Sequence, residues 1–322
     1  MPDSAQPLGH EKAERLLSEW PLEIAAIEHI SVHNTNFIKA TTQTGDQYLM
    51  KNVGDIDDVK PRTELQYRLT NHLHNHGVPV AYLLTTRDDH FGVEDGSDLY
   101  ILMPLLPREP ADLYFGDTAG IFSNLGRAYA RLHGALSKFD GEIDTWSAPF
   151  DRMFDGTIPR LREVLSGPDL ELVNSISDAI EPPMRSLAPQ LDHQIILWDC
   201  HDGNTLFWEG DVSGFVDVDH VCLGPRVTDV ANMVANLVIH HQDDRMTPWL
   251  KGLSYYARAY HETSPLSEAE RAAIPYGIEG FIVLLYEYFL SRDHPSATNT
   301  WGAVQWMNQN CERVHAAVAS AF

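Results

Sequence analysis

The sequence has few cysteines and lacks long hydrophobic runs. Its 322 residues include only Cys200, Cys222 and Cys311, too few and too scattered for a disulfide framework or a zinc cage. It has no run of 18 apolar residues, and its polar N-terminus lacks the basic start and apolar stretch of a secretory signal. These absences predict a protein that has no membrane segment and is located in the cytoplasm.

Positive charge is also scarce. Lys and Arg total 23 against 46 Asp and Glu, which gives a formal net charge of −23. Such a field repels nucleic acid and anionic membranes, because both are bound through basic patches. We therefore expect neither as a partner. A solvated acidic surface that favours solubility explains the charge, and a cleft suited to a cationic ligand is the alternative.

Two motifs common in enzymes are missing. No G-x-G-x-x-G follows the first predicted strand, which argues against a dinucleotide-binding dehydrogenase. His220, His240 and His241 do not follow the H-E-x-x-H spacing of a zinc hydrolase.

The spacing of apolar residues predicts a β-rich region followed by a helical one. After a short helix in residues 11–20, strand-like runs within 27–53 are joined by a turn at 43–46. A helix over 63–73 follows, and then AYLLTTRDD and SDLYILMPLL as two more strands. Helices are predicted thereafter over 121–136, 159–165, 170–180, 227–239, 249–261, 267–290 and 303–322. The fold class is therefore α+β, with an N-terminal lobe at 1–104 and a helical lobe at 105–322.

One β-rich island, residues 194–219, interrupts the helices and carries acidic and amide side chains. Within it, Asn204 follows Asp199 by five positions, and Asp217 follows Asn204 by 13. Singly, each would be an ordinary turn residue, since Asp and Asn are common in turns. Gly203 before Asn204, the joint spacing and the apolar flanks indicate a catalytic site.

The run Leu197-Trp198-Asp199-Cys200-His201-Asp202-Gly203-Asn204 resembles the motif His-Gly-Asp-x-His-x-Gly-Asn of the aminoglycoside phosphotransferase and choline kinase superfamily. In that superfamily a hydrophobic strand ending in Asp follows, as it does here up to Asp217. The resemblance implies a bilobal protein-kinase-like fold with a small β-rich N-lobe and a large helical C-lobe. It also implies a kinase that uses ATP and Mg²⁺ to transfer the γ-phosphoryl group to a hydroxyl.

The resemblance assigns roles that fit phosphoryl transfer, which depends on positioning and charge neutralisation. Asp199 corresponds to the carboxylate that orients the hydroxyl and accepts its proton. Asn204 and Asp217 correspond to ligands of Mg²⁺, which prefers hard oxygen atoms. Asp219 would share their face if 217–219 were a strand, and a hydrogen bond to a neighbouring loop is its alternative role.

Nucleotide-binding residues follow from the same resemblance. Lys51 ends a predicted strand where the superfamily has its phosphate-binding Lys, and Glu64 is placed like the Glu that pairs with it. Both residue types are by default solvated surface charges. The phosphate-covering loop falls at 32–37, where Asn34 and Thr35 offer short polar groups without a glycine. Met103 lies where the hinge that meets adenine is expected, although a Leu/Met-rich linker is also typical of a core.

Two positions depart from the motif. Leu197 and Trp198 stand in place of His and Gly, so the loop must be braced differently, and Trp198 should alter the loop's path or the acceptor pocket. His201 matches the second His, and we expect it to brace the loop rather than bind metal. Asp229 is expected to brace the loop or to cap the next helix.

The acceptor is predicted to be a small molecule, because Asp229 follows Asp217 by only 12 positions, which leaves no room for the peptide-docking segment of protein kinases. Superfamily acceptor pockets are lined by C-terminal helices, where acidic and aromatic side chains would suit an amine-bearing alcohol, an amino sugar or an antibiotic. The candidates there are Tyr255, Tyr256, Tyr260, Tyr276, Glu279, Tyr286, Glu287 and Trp301.

Two alternatives remain open. The motif also resembles the bacterial stress-response kinases, which act on protein Ser/Thr, and the type II homoserine kinases. Replacement of the usual His and Gly would suit a pseudokinase that binds nucleotide without transferring phosphate. Retention of Lys51 and the Asp199, Asn204 and Asp217 set favours an active enzyme.

Overall fold

The computed structural model describes residues 8–32, 35–110, 116–143, 149–239 and 243–322. It is mixed α+β, with strands concentrated in the N-terminal region and helices in the C-terminal region. The helices are α1 (His10–Leu17), α2 (Ile56–Asn75), α3 (Thr118–Leu136), α4 (Pro149–Asp151), α5 (Ile158–Val164), α6 (Gly167–Leu187), α7 (Val227–Asn236), α8 (Asp243–Thr263), α9 (Glu268–Leu290) and α10 (Ser296–Ala319). The strands are β1 (Ile24–Val32), β2 (Thr35–Thr42), β3 (Gln47–Asp55), β4 (Val93–Asp95), β5 (Asp98–Pro104), β6 (His193–Ile196), β7 (Thr205–Trp208), β8 (Asp211–Phe215) and β9 (Cys222–Pro225).

The chain divides into two compact units. The first comprises Met1–Pro107 with Gly214–Asp219, and the second comprises Arg108–Ser213 with His220–Phe322. The short segment Gly214–Asp219 therefore belongs with the N-terminal strands, although it lies far along the chain.

The first unit is built on an antiparallel sheet of order β1-β2-β3-β5-β4. Alternate residues of a strand face opposite sides, and Ile38, Ala40 and Met50 point to the side covered by α1 and Trp20. The β2–β3 connection turns at Gly45, whose φ of 92° is in the left-handed region that glycine adopts without steric cost. The predicted turn at 43–46 is confirmed.

Helix α2 begins at Ile56, seven residues before the predicted start. The Asp55 side chain accepts a hydrogen bond from the Asp57 N–H (3.1 Å) and so caps the helix at this earlier point. Leu69 and Leu73 are fully buried on its inner face. The periodic face was therefore predicted correctly, and its N-terminus was not.

The strand predicted for AYLLTTRDD is wrong. Residues 81–89 form no ladder, although Ala81 and Leu83 are buried. Side chains take carbonyls that a strand would offer to a neighbour: Asn71 Nδ2 donates to the Leu83 carbonyl (3.0 Å), and Trp20 Nε1 donates to that of Leu84 (3.1 Å). The apolar alternation thus reflects burial and not pairing.

The second unit is mostly helical, and each predicted helix is present there with shifted ends. Its α3 and α8 approach so closely at Gly126 that a Cβ there would clash with the Tyr256 carbonyl oxygen. By length and apolar composition α9 could cross a membrane, but most of it is buried, as a core helix is.

The predicted β-rich island is present with one additional strand. The hairpin β7–β8 turns at Glu209 and Gly210, both with positive φ, which matches the right-handed twist of the flanking strands. Strand β9, which was not predicted, pairs antiparallel with β6.

Candidate functional site

The loop 197–204 connects β6 to β7 and carries Asp199. The Asn204 amide nitrogen donates to the Asp199 carboxylate (Oδ2, 3.1 Å) and to its carbonyl (3.2 Å). The Asp199 side chain is about half exposed, whereas Asn204 is buried. The buried Asn204 amide therefore holds the Asp199 carboxylate at the surface of the loop, and neither of these two bonds uses the Asn204 amide oxygen.

Asp229, on the first turn of α7, braces this loop. Its carboxylate is fully buried and accepts hydrogen bonds from the backbone N–H groups of Leu197 (2.7 Å) and Trp198 (3.0 Å). The predicted bracing role is confirmed, and helix capping is not its role, since the N-cap position is Arg226. Two charge-assisted bonds from adjacent amides fix the approach to Asp199.

A buried histidine that the sequence analysis missed completes the brace. His133 Nε2 lies 3.1 Å from Asp229 Oδ2, and its Nδ1 lies 2.7 Å from the Tyr260 hydroxyl. The Asp229 carboxylate can only accept, so Nε2 donates to it. In the neutral imidazole Nδ1 is then an acceptor, and the Tyr260 hydroxyl donates to it. The one sequence signal was a polar residue on the apolar face of α3.

Trp198 adopts the backbone conformation of a glycine. Its φ is 68°, in the left-handed region that is costly for a bulky residue. The Asn232 amide donates to its carbonyl (2.6 Å), and its ring packs edge-on against Phe281 at 6.0 Å between centroids. The tryptophan is thus accommodated with a glycine-type φ and with its ring packed to one side.

His201 stabilises the same loop from within. Its Nδ1 accepts a hydrogen bond from the Gly203 N–H (3.0 Å), and its Nε2 lies 3.8 Å from Asp199 Oδ2. The first contact confirms the predicted bracing role. The neighbouring Cys200 is buried, which raises its thiol pKa and keeps the thiol protonated at neutral pH.

In the first unit, Lys51 forms an ion pair with Asp217 (Nζ–Oδ1, 3.7 Å). Lys51 stands opposite Phe37 on β2 and Ile101 on β5, and Leu49 opposite Met103. Residues directly opposite, or two apart along a strand, share a face. Lys51 therefore lies on the same face as an apolar strip of side chains: Phe37, Leu49, Ile101 and Met103.

The strand argument for Asp217 and Asp219 is wrong. Strand β8 ends at Phe215, and Asp217 has φ 52°, so alternation along a strand does not apply to the two carboxylates. Asp217 is exposed and Asp219 is half-buried. Their assignment as metal ligands stays a prediction.

The other predicted nucleotide contacts also stay predictions. Glu64 is exposed on α2, and the described ion pair of Lys51 is with Asp217. Thr35 is the first residue of β2 and pairs with Val32, whereas Asn34 lies outside the described residues.

Several acceptor candidates on the C-terminal helices are already engaged. Tyr256 and Tyr260 are core residues with almost no exposure. Glu279 is buried and contacts His315 Nε2 (2.8 Å), and Glu287 is paired with Arg160 (2.9 Å). Of the remaining candidates, Tyr255 is exposed, Tyr276 and Trp301 are half-buried, and Tyr286 is buried with its ring 4.7 Å from that of Trp301.

The predicted cation ligands carry only oxygen donors, which fit Mg²⁺ better than a soft metal. Within the described parts of the chain, no three His, Cys, Asp or Glu side chains cluster as a metal site would require. Asn204 as a Mg²⁺ ligand, like Asp217 and Asp219, therefore stays a prediction.

Comparison with known proteins bears on the whole chain. A model of the phosphotransferase enzyme family matches residues 27–269. The homoserine kinase of Neisseria meningitidis serogroup B is 26% identical over 255 residues, which cover 79% of each protein. An aminoglycoside phosphotransferase from Alicyclobacillus acidocaldarius has a similar structure, with TM-score 0.65, 16% identity, and coverage of 98% of this chain and 96% of that one. The amicoumacin kinase in complex with AMP-PNP, Ca²⁺ and Ami gives TM-score 0.62, 16% identity, and coverage of 95% and 93%. The chain belongs to the phosphotransferase enzyme family and is a kinase.

Proposed function

We propose that this protein transfers the γ-phosphoryl group of ATP to a hydroxyl of a small, amine-bearing acceptor in the cytoplasm. The observation that carries the proposal is Asp199, a half-exposed carboxylate held by Asn204 in a loop that Asp229 braces. The relatives support it: homoserine and the aminoglycosides each carry hydroxyl and amine groups, and the similar amicoumacin kinase forms a complex with AMP-PNP, an ATP analogue.

In the proposed reaction, Asp199 accepts a hydrogen bond from the acceptor hydroxyl and orients its oxygen. A bond forms between that oxygen and the γ-phosphorus as the bond to the β,γ-bridging oxygen breaks, and ADP leaves. The hydroxyl proton passes late to the Asp199 carboxylate, because the transition state is loose and the base acts mainly by positioning. The amide contact from Asn204 holds the carboxylate in place for this step.

The nucleotide would lie on the Lys51 face of the N-terminal sheet. Lys51 would neutralise phosphate charge, and the strip formed by Phe37, Leu49, Ile101 and Met103 would contact the adenine ring. Asn34, Thr35 and Glu64 stay candidates for the phosphates and for Lys51. Asn204, Asp217 and Asp219 would hold Mg²⁺, which when bound neutralises the charge that develops on the phosphates.

The segment between Asp217 and Asp229 supports a small acceptor over a protein. Strand β9 occupies residues 222–225 within it and pairs with β6, so this connection is a strand of the fold. An extended peptide-docking segment has no room there.

The test is ATP turnover by Asp199→Asn against wild type, with a panel of amino alcohols and aminoglycosides. We expect kcat to fall roughly 10³-fold with ATP affinity retained, because both positioning and proton acceptance are lost. Asp202→Asn, an exposed carboxylate in the same loop, is the matched control. Equal rates for wild type and Asp199→Asn would support a nucleotide-binding pseudokinase instead.

A second variant tests the nucleotide face. Lys51→Met should raise the KM for ATP about 10- to 100-fold, the effect of losing a charge-assisted phosphate contact. Lys60→Met, which removes an exposed lysine paired with Glu94, should leave the KM unchanged. The same KM in both variants would remove Lys51 from the site.

A further inference from the structure

Arg152 stands out among the cations of this acidic chain. Within the described residues of the helical unit, Arg160 is held by Glu287, Arg185 by Asp155 and Arg226 by Glu270, whereas Arg152 has no such carboxylate. Arg152 is exposed, and within the described ranges the structure gives its guanidinium one contact: it lies 5.6 Å from the centre of the Trp198 ring. Asp151 and Asp155, the acids nearest in sequence, are engaged by Arg185.

The platform beneath Arg152 is rigid. Trp198 is fixed by its N–H bond to Asp229 and by the Asn232 bond to its carbonyl, and its ring packs on Phe281. Its left-handed φ of 68° is sterically unfavourable for a residue with a side chain. Trp198 thus keeps an unfavourable backbone conformation because several contacts hold it, directly before the proposed catalytic carboxylate. Residues strained in this way are often found at functional sites.

The backbone that carries Arg152 is also irregular. Arg152 begins a π-helical turn, Arg152–Thr157, between α4 and α5. Such turns are rare and recur at functional sites, because they redirect side chains that a regular helix would point elsewhere. Two independent irregularities therefore bring a guanidinium to the residue next to Asp199.

We infer that Arg152, oriented by Trp198, binds a carboxylate on the acceptor, so that the substrate is a hydroxy amino acid and not a simple amino alcohol. The inference rests on the proposed function, which it narrows. A guanidinium matches a carboxylate with two parallel hydrogen bonds, and its flat face can remain stacked on the indole while it does so. The same charge disfavours an acceptor whose only ionic group is an ammonium.

Pairs of acceptors that differ only in the carboxylate test the inference. These are L-homoserine with 3-amino-1-propanol, L-serine with ethanolamine, and L-threonine with 1-amino-2-propanol. Wild type should favour the carboxylate-bearing member of the best pair by roughly 10- to 100-fold in kcat/KM, the range of a charge-assisted hydrogen-bond pair. Arg152→Gln should abolish the preference by raising the KM for that member, with kcat and the KM for ATP within a few fold of wild type. Arg152→Lys should retain part of it.

The matched control is Arg185→Gln. Arg185 lies 5.4 Å from the Phe154 ring, a similar arrangement, but its guanidinium is already bonded to Glu181 and Asp155. Its loss should leave acceptor preference unchanged. L-2-aminobutanoate, which has the carboxylate but no hydroxyl, gives a readout without turnover: by calorimetry it should bind wild type, and bind Arg152→Gln at least roughly tenfold more weakly.

The inference is overturned if wild type shows no carboxylate preference in any pair, or if Arg152→Gln keeps the wild-type preference. Both results would leave the kinase proposal standing, because transfer to an amino alcohol would still be measured. ATP turnover that no hydroxyl compound stimulates would instead refute the proposed function and this inference together.

Discussion

The brace under the loop 197–204 depends on a single buried carboxylate, and Asp229→Asn tests it. Oδ1 accepts from the Trp198 N–H, and Oδ2 accepts from the Leu197 N–H and from His133. An asparagine keeps the shape but replaces one oxygen with an NH₂ group. If the NH₂ takes the Oδ1 position, one donor is left facing another donor, and if it takes the Oδ2 position, two are.

The less costly orientation places the asparagine NH₂ group at the Oδ1 position; it loses one charge-assisted hydrogen bond and leaves a buried N–H unpaired. These terms are about 1.5–3 and 1–3 kcal/mol, so we expect the free energy of unfolding to fall by about 3 kcal/mol. The loop should also shift, and since a displacement near 1 Å costs about 100-fold in rate, kcat should fall by that order with the KM for ATP little changed.

Urea unfolding and an ADP-production assay at saturating ATP measure the two effects of Asp229→Asn. Asp202→Asn, exposed in the same loop, makes the same chemical change without removing a buried acceptor, and it should differ from wild type by less than about 0.5 kcal/mol. An Asp229→Asn protein with wild-type stability and kcat would refute the bracing argument.

Two further changes test the packing of the helical unit. Burial raises the pKa of Glu270, but hydrogen bonds from Arg226 and the Ser267 N–H outweigh it, so the folded-state pKa is lowered. The stability this gives is fully present above the ordinary Glu value of about 4.3 and is lost as pH falls through the lower folded-state value. Glu270→Gln should therefore be less stable than wild type by about 3–5 kcal/mol at pH 7. This difference in the free energy of unfolding should narrow below pH about 4. Urea unfolding at several pH values measures it, and a difference that stays constant from pH 7 to pH 3 would contradict the argument. Gly126→Ala should lower the free energy of unfolding by about 1–3 kcal/mol, because its Cβ would meet the Tyr256 carbonyl. Gly134→Ala, in open space on the same helix, should raise it by about 0.5–1 kcal/mol. Equal effects of the two changes would refute the close approach of α3 and α8.

The sequence by itself determined the local parts of the protein. Asn204 lies five positions after Asp199, and a short loop between two strands brings such neighbours together without help from the rest of the chain. The Gly45 turn, the buried face of α2 and the helical character of the C-terminal region follow in the same way from turn chemistry and from a period of 3.6 residues. Family resemblance could be recognised because this local motif is contiguous.

Tertiary structure alone decided which distant groups meet. His133 and Asp229 are 96 positions apart, and nothing in the spacing of either residue indicates the other. Whether 81–89 became a strand depended on Asn71 and Trp20 taking its carbonyls, and Trp198 could occupy a glycine's conformation because Asp229 and Asn232 hold its backbone. Local propensity acts over a few residues, whereas a buried polar group must find its partner wherever packing places one, and that partner is set by the whole fold.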